Sequence, residues 1–146
     1  MSNNLLIRDS DGSAEALHIT HANSINPGRL TIVGNQLVNA STEAGVALIA
    51  SALEVTFATN QVEGKGATAL FIKGEKRATD AASIVGNTFR GPFAQSVVLH
   101  EVKMAVATGN VSSAVGIQCN AGVAKLVSSG NAWGAPTGRC NATPGN

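Results

Sequence analysis

Five titratable side chains in the middle of the chain could perform acid–base work: Lys73, Glu75, Asp80, His100 and Glu101, with the amide of Gln118 further on. Hydrolysis by a carboxyl pair needs one group to protonate the leaving oxygen and a second to act as base or nucleophile, about 5 to 10 Å away. Glu75 and Glu101 are the candidate acid and base and His100 the imidazole beside them, so these three are the candidate catalytic residues. Lys73, Asp80 and Gln118 are candidate substrate-binding groups. The same residues also read as a solvated polar ridge in which Lys73 and His100 neutralise Glu75 and Glu101, because ion-pair networks imitate sites. Adjacent β-strands are about 4.8 Å apart. Carboxylates one or two strands apart therefore meet the distance requirement automatically, and the elements that carry them must decide.

Those elements repeat. Aligned on Asn, the chain reads Leu30-Thr-Ile-Val-Gly-Asn35-Gln-Leu37, Val55-Thr-Phe-Ala-Thr-Asn60-Gln-Val62 and Ala82-Ser-Ile-Val-Gly-Asn87-Thr-Phe89. Weaker copies end at Asn110 and Asn131, and the Asn spacings are 25, 27, 23 and 21 residues, the length of one solenoid coil. Apolar residues lie five and three before each of Asn35, Asn60 and Asn87 and two after it, with Thr31, Thr56 and Ser83 between them, which is the period-2 pattern of strands with one buried face. Stacked coils place the five Asn above one another as a ladder, each expected to take the left-handed backbone conformation at the bend. A further strand precedes each motif: Leu17–Thr20, Val46–Ala50, Ala69–Lys73, Ser96–His100 and Val115–Cys119. In this alignment Thr20, Ala50, Lys73, His100 and Gln118 share one outward position, and Asp80 lies in a long polar turn. An Ala-rich helix over Glu43–Glu54 is the rival reading of one segment, and the repeat outweighs it.

The pattern resembles the right-handed parallel β-helix of the pectin-lyase-like superfamily, most of all the β-helix domains of bacteriophage tailspike and tail-fibre proteins. The motifs ending at Asn35, Asn60, Asn87, Asn110 and Asn131 carry the likeness, with Leu37, Val62, Phe89 and Trp133 as the following inward residues. The expected fold is all-β: a β-solenoid of five to six coils with three short strands each. It forms a single domain over residues 1–146, with a leading strand or cap over 1–15, coils over 16–137, and a partial coil with a flexible tail over 138–146. The resemblance implies binding, or binding and depolymerisation, of bacterial surface polysaccharide by a hydrolase or lyase. It also implies a homotrimer and a place in the virion tail or outside the cell. The alternative is a non-catalytic stalk or tip domain that supplies rigidity and trimerisation. In the fourth and fifth motifs Ala107, Ser112 and Ser128 replace bulky inward residues, so a bulge or a changed cross-section is expected there.

Other features narrow the choice. Ten basic and nine acidic residues give a net charge of +1, which leaves no electrostatic footprint for nucleic acid. No apolar run approaches the ~18 residues of a membrane span, and Leu5-Leu6-Ile7 is too short for a signal-peptide core. There is no phosphate-binding loop, dinucleotide fingerprint or nucleophile elbow. His18 and His21 have no Cys nearby and no further His at ligand spacing, so neither a metal site nor a cofactor is expected. Glu63 and Arg90 each follow their motif Asn by three residues and read as a vertical ion pair. Trp133 at an inward register reads as core packing, with a sugar-stacking platform as the alternative. Cys119 and Cys140 are 21 residues apart, equal to the last Asn spacing, and so should be neighbours at one register, either bonded or as stacked thiols. Sparse charge and outward Val33, Val85 and Val98 suggest a lateral interface.

Overall fold

Period-2 alternation becomes strand wherever it occurs. The computed structural model describes residues 1–20, 28–75, 77–140 and the backbone of 142–144; His21 and Pro27 lie outside the described residues. A leading strand β1 (Leu5–Arg8) is followed by a first turn of β2 (Leu17–Thr20), β3 (Arg29–Val33) and β4 (Gln36–Asn39). The second turn contains β5 (Ala47–Ala50), β6 (Glu54–Ala58) and β7 (Gln61–Gly64). The third contains β8 (Thr68–Lys73), β9 (Thr79–Val85) and β10 (Thr88–Arg90), and the fourth β11 (Gln95–His100), β12 (Val102–Thr108) and β13 (Val111–Ser112). The chain then continues through β14 (Ile117–Cys119), β15 (Lys125–Ser129), β16 (Thr137–Gly138) and β17 (Ala142–Pro144).

Through β15 every third strand pairs in parallel, and β16 and β17 then add to β14 and β15, which produces three sheets. The first contains β2, β5, β8, β11, β14 and β16, the second β3, β6, β9, β12, β15 and β17, and the third β1, β4, β7, β10 and β13. The protein is therefore an all-β parallel solenoid, and no helix occurs among the described residues, the segment 43–54 included. About four turns are complete, not five to six. In the fifth, the third strand shrinks to one bridge between Val111 and Ala132, because Gly134 and Pro136 follow at once and cannot extend a ladder. Beyond it, Ala142–Pro144 pairs in parallel with β15.

The core consists of inward columns one residue deep. Ile19, Ile49, Ile72, Leu99 and Cys119 stack in the first sheet, Ile32, Phe57, Ile84 and Ala107 in the second, and Leu6, Leu37, Val62 and Phe89 in the third. No bulge occurs at Ala107 and Ser128; β12 pairs with β9 and β15 in unbroken register. The missing volume is made up by Trp133, which reaches past the small Ser112 to lie 6.1 Å from the Phe89 ring. Trp133 is thus a packing residue, and it leaves no room for a side chain at Gly116, where a Cβ would lie 2.7 Å from the indole.

The Asn ladder forms, with one addition and one correction. Each Asn donates its backbone N–H and its Nδ2 to the Oδ1 of the next, from Asn35 to Asn60, Asn87, Asn110 and Asn131, at 2.8 to 3.1 Å. Asn4 extends it upstream onto Asn35. The left-handed residue is not the ladder Asn but the one before it: Asn3, Gly34, Thr59, Gly86, Gly109 and Gly130 all have φ between 51° and 67°. The Asn side chain is thereby freed to bond across turns, while the preceding residue, usually Gly, takes the bend.

Cys119 and Cys140 form a disulfide with Cα atoms 5.1 Å apart. They are neighbours, as their spacing predicts, but not at one register: Cys119 pairs with Gly138. Gly138, at φ 82°, lies against the Cys119 carbonyl where a Cβ would collide, and the chain then bends so that Cys140 reaches back.

Candidate functional site

The outer face of the first sheet carries two side-by-side columns. Thr20, Ala50, Lys73 and His100 are in register, as the sequence predicts. Gln118 does not belong with them. It pairs with Val98, in the neighbouring column of Leu48, Phe71 and Val98, because β14 meets β11 two residues earlier than the sequence alignment assumed. Gln118 Nε2 donates to Asn120 Oδ1 at 2.9 Å. Phe71, which sequence reasoning missed, is half-buried on this face with Lys73 Nζ 6.0 Å from its ring centre.

The acidic residues lie along the edge where the first sheet turns into the second, and they do not converge. Glu75 is drawn back to Lys73 on its own turn, Oε1 to Nζ 2.6 Å. Glu101 occupies the bend itself at φ 54°, and its carboxylate lies over Gly122 on the following turn, where a Cβ would stand 2.6 Å from it. Asp80 is inside β9, not in a turn, and is held by Lys103 Nζ at 2.6 Å and Arg77 at 3.5 Å. The Lys103 ammonium holds the Asp80 carboxyl below its ordinary range against the opposing effect of desolvation, with a lesser contribution from the positive charge of Arg77. Lys103 was legible only through register, since it lies opposite Asp80 between the Thr79–Val102 and Ala81–Met104 pairs. His100 is half-buried beside Lys73.

Elsewhere, Glu63 and Arg90 are register neighbours, yet no ion pair forms between them, because both exposed side chains extend into solvent. They line a shallow cleft of about 290 Å³ with Val38, Lys65 and Pro92. His18 Nδ1 lies 3.0 Å from Glu15. No protein-family model, curated protein or solved structure matches the chain. The solenoid is therefore established by its strand pairing alone.

Proposed function

We propose that the chain is a glycan-binding solenoid of the phage tailspike or tail-fibre kind, with the outer face of the first sheet contacting bacterial surface polysaccharide from a virion tail or another extracellular position. One observation carries this reading: the column in which half-buried Phe71 and Gln118 stand on either side of the buried Val98 runs beside the column of Lys73, His100 and Asn120. A sugar ring presents an apolar C–H face and a rim of hydroxyls, and such ligands are held by apolar surface flanked by a few placed polar groups. Binding without cleavage is the form that the side chains favour. Glu75 is occupied by Lys73, Asp80 is held ionised by Lys103, and Glu101 points away from both. A general acid must begin protonated.

The stalk reading is supported by a different observation, the ladder that runs unbroken from Asn4 to Asn131. Titration of the full chain against capsular and lipopolysaccharide preparations separates the two. Saturable binding that falls about tenfold or more in Phe71→Ala and His100→Ala, with folding preserved, supports the glycan reading. Absence of binding to every preparation leaves the stalk. Release of reducing ends or unsaturated sugars, abolished in Glu101→Gln, would restore the depolymerase.

A further inference from the structure

We propose that the outer face of the second sheet is a homodimer interface, on which two copies pack with antiparallel solenoid axes about a twofold that runs along the strands between β9 and β12. This does not rest on the glycan reading, which uses a different face. Two adjacent columns, Thr31-Thr56-Ser83-Val106-Val127 and Val33-Ala58-Val85-Thr108-Ser129, contain no charge over ten positions. Their side chains are small, so the face offers a plane without protrusions. Val98, by contrast, is buried on the first sheet and takes no part.

The flanking column specifies the pairing. It reads Arg29, Glu54, Ala81, Met104 and Lys125. A twofold between β9 and β12 keeps strand direction and reverses turn order, so β9 faces β12 of the second copy and β6 faces its β15. Met104, 44% exposed, then meets Ala81 of the second copy, the largest uncharged side chain of the face against one of the smallest. Val85, 36% exposed, meets Thr108, and Ser83 meets Val106. Lys125, which has no ion-pair partner among the described residues, meets Glu54, whose only one is Arg29 at 2.8 Å. Size and charge are both self-complementary under one operator, as an isologous interface requires.

Five residues at about 3.3 Å by six strands at about 4.8 Å cover roughly 475 Å² per copy. The pair total lies just under the roughly 1,000 Å² that marks a specific interface, so the dimer should be reversible, with a dissociation constant in the micromolar range. The twofold differs from the trimer that the tail-fibre resemblance implies.

Sedimentation of the full chain from about 1 μM to about 1 mM tests it. A monomer–dimer equilibrium is expected, weakened about tenfold or more by Ser83→Lys beside the axis and by Met104→Glu at an already exposed position. Met104→Ala and Ala81→Met should each weaken the dimer, and the two together should restore it, because the large and small partners merely exchange rungs. Circular dichroism controls for folding. A monomer throughout the range, a trimer, or a dimer indifferent to these substitutions would overturn the proposal.

Discussion

Replacing Asn87 by Ala tests the ladder where it is most deeply buried. Asn87 is fully buried, its Oδ1 accepts from Asn60 N and Nδ2 at 2.9 and 3.1 Å, and its Nδ2 donates to Phe57 O at 2.8 Å and Asn110 Oδ1 at 2.9 Å. Alanine removes all of these. Asn110 Oδ1 keeps the backbone N–H of residue 87, so its loss is small, but the Asn60 N–H loses its acceptor in a dry turn and the Phe57 carbonyl loses this donor. A buried polar group left unpaired costs about 1 to 3 kcal/mol, and two such groups put the expected loss near 3 kcal/mol. Asn131 makes a similar set of bonds at the end of the ladder, but it is half-exposed, and water can replace much of what Ala removes. There the loss should be about 1 kcal/mol. Urea denaturation of both variants, with slopes equal to that of the parent, measures the difference. An Asn87→Ala midpoint within about 0.5 kcal/mol of the parent, or equal losses at both sites, would refute the idea that burial makes the ladder stabilising.

Thr59 is the β-branched residue in a row of left-handed positions otherwise taken by Gly and Asn, at φ 51°. Thr59→Gly should raise stability by about 0.5 to 1 kcal/mol, read as an increased melting temperature, since relief of left-handed strain exceeds the added unfolded-state entropy. A lower melting temperature would show that its Oγ1 contact to the Ala58 carbonyl outweighs the strain. The Cys119–Cys140 bond closes a 21-residue separation, so reductant or Cys140→Ser should cost about 3 kcal/mol. Mass spectrometry that counts two free thiols in native protein would remove the basis for that figure. For Asp80, the folded pKa lies below the ordinary carboxylate value of the unfolded chain, so its pair with Lys103 contributes fully above that ordinary value and is lost as pH falls through the folded one. Carboxyl NMR titration should place the Asp80 midpoint below the ordinary Asp range and show it rising in Lys103→Met. An unchanged midpoint would mean that Lys103 is not the cause.

The repeat made the strands legible because in a solenoid each inward residue must fit the one above and below it. Thr31, Thr56 and Ser83 occur between apolar neighbours and indeed share a register. The bend was misassigned by one residue for a physical reason. Asn both tolerates left-handed backbone and forms ladders, so the sequence Gly-Asn permits either residue to take the turn, and only the need of the Asn amide to reach across turns decides it. The register of Gln118 failed where spacing alone could not help: the path from the ladder Asn to this column is shorter for Asn110–Gln118 than for Asn87–Val98 or Asn60–Phe71, and a shift of two residues keeps the same face outward, so alternation gives no warning.

The candidate site was less legible than the fold, because alternation fixes the face on which a side chain stands but not the rung to which its end reaches. Lys73, Glu75 and Glu101 gather on one edge as their positions predict, yet Lys73 and Glu75 close on each other within a turn while Glu101 extends to the next. The same freedom explains Trp133. Its position promised an inward stack over Ser112, and the indole instead spans Ser112 to touch Phe89, two turns back, since a void beside a fully buried ring would forfeit its contacts. A rung is about 4.8 Å high. Side chains longer than that are not confined by the repeat that positions them, and those are the side chains from which a binding surface is made.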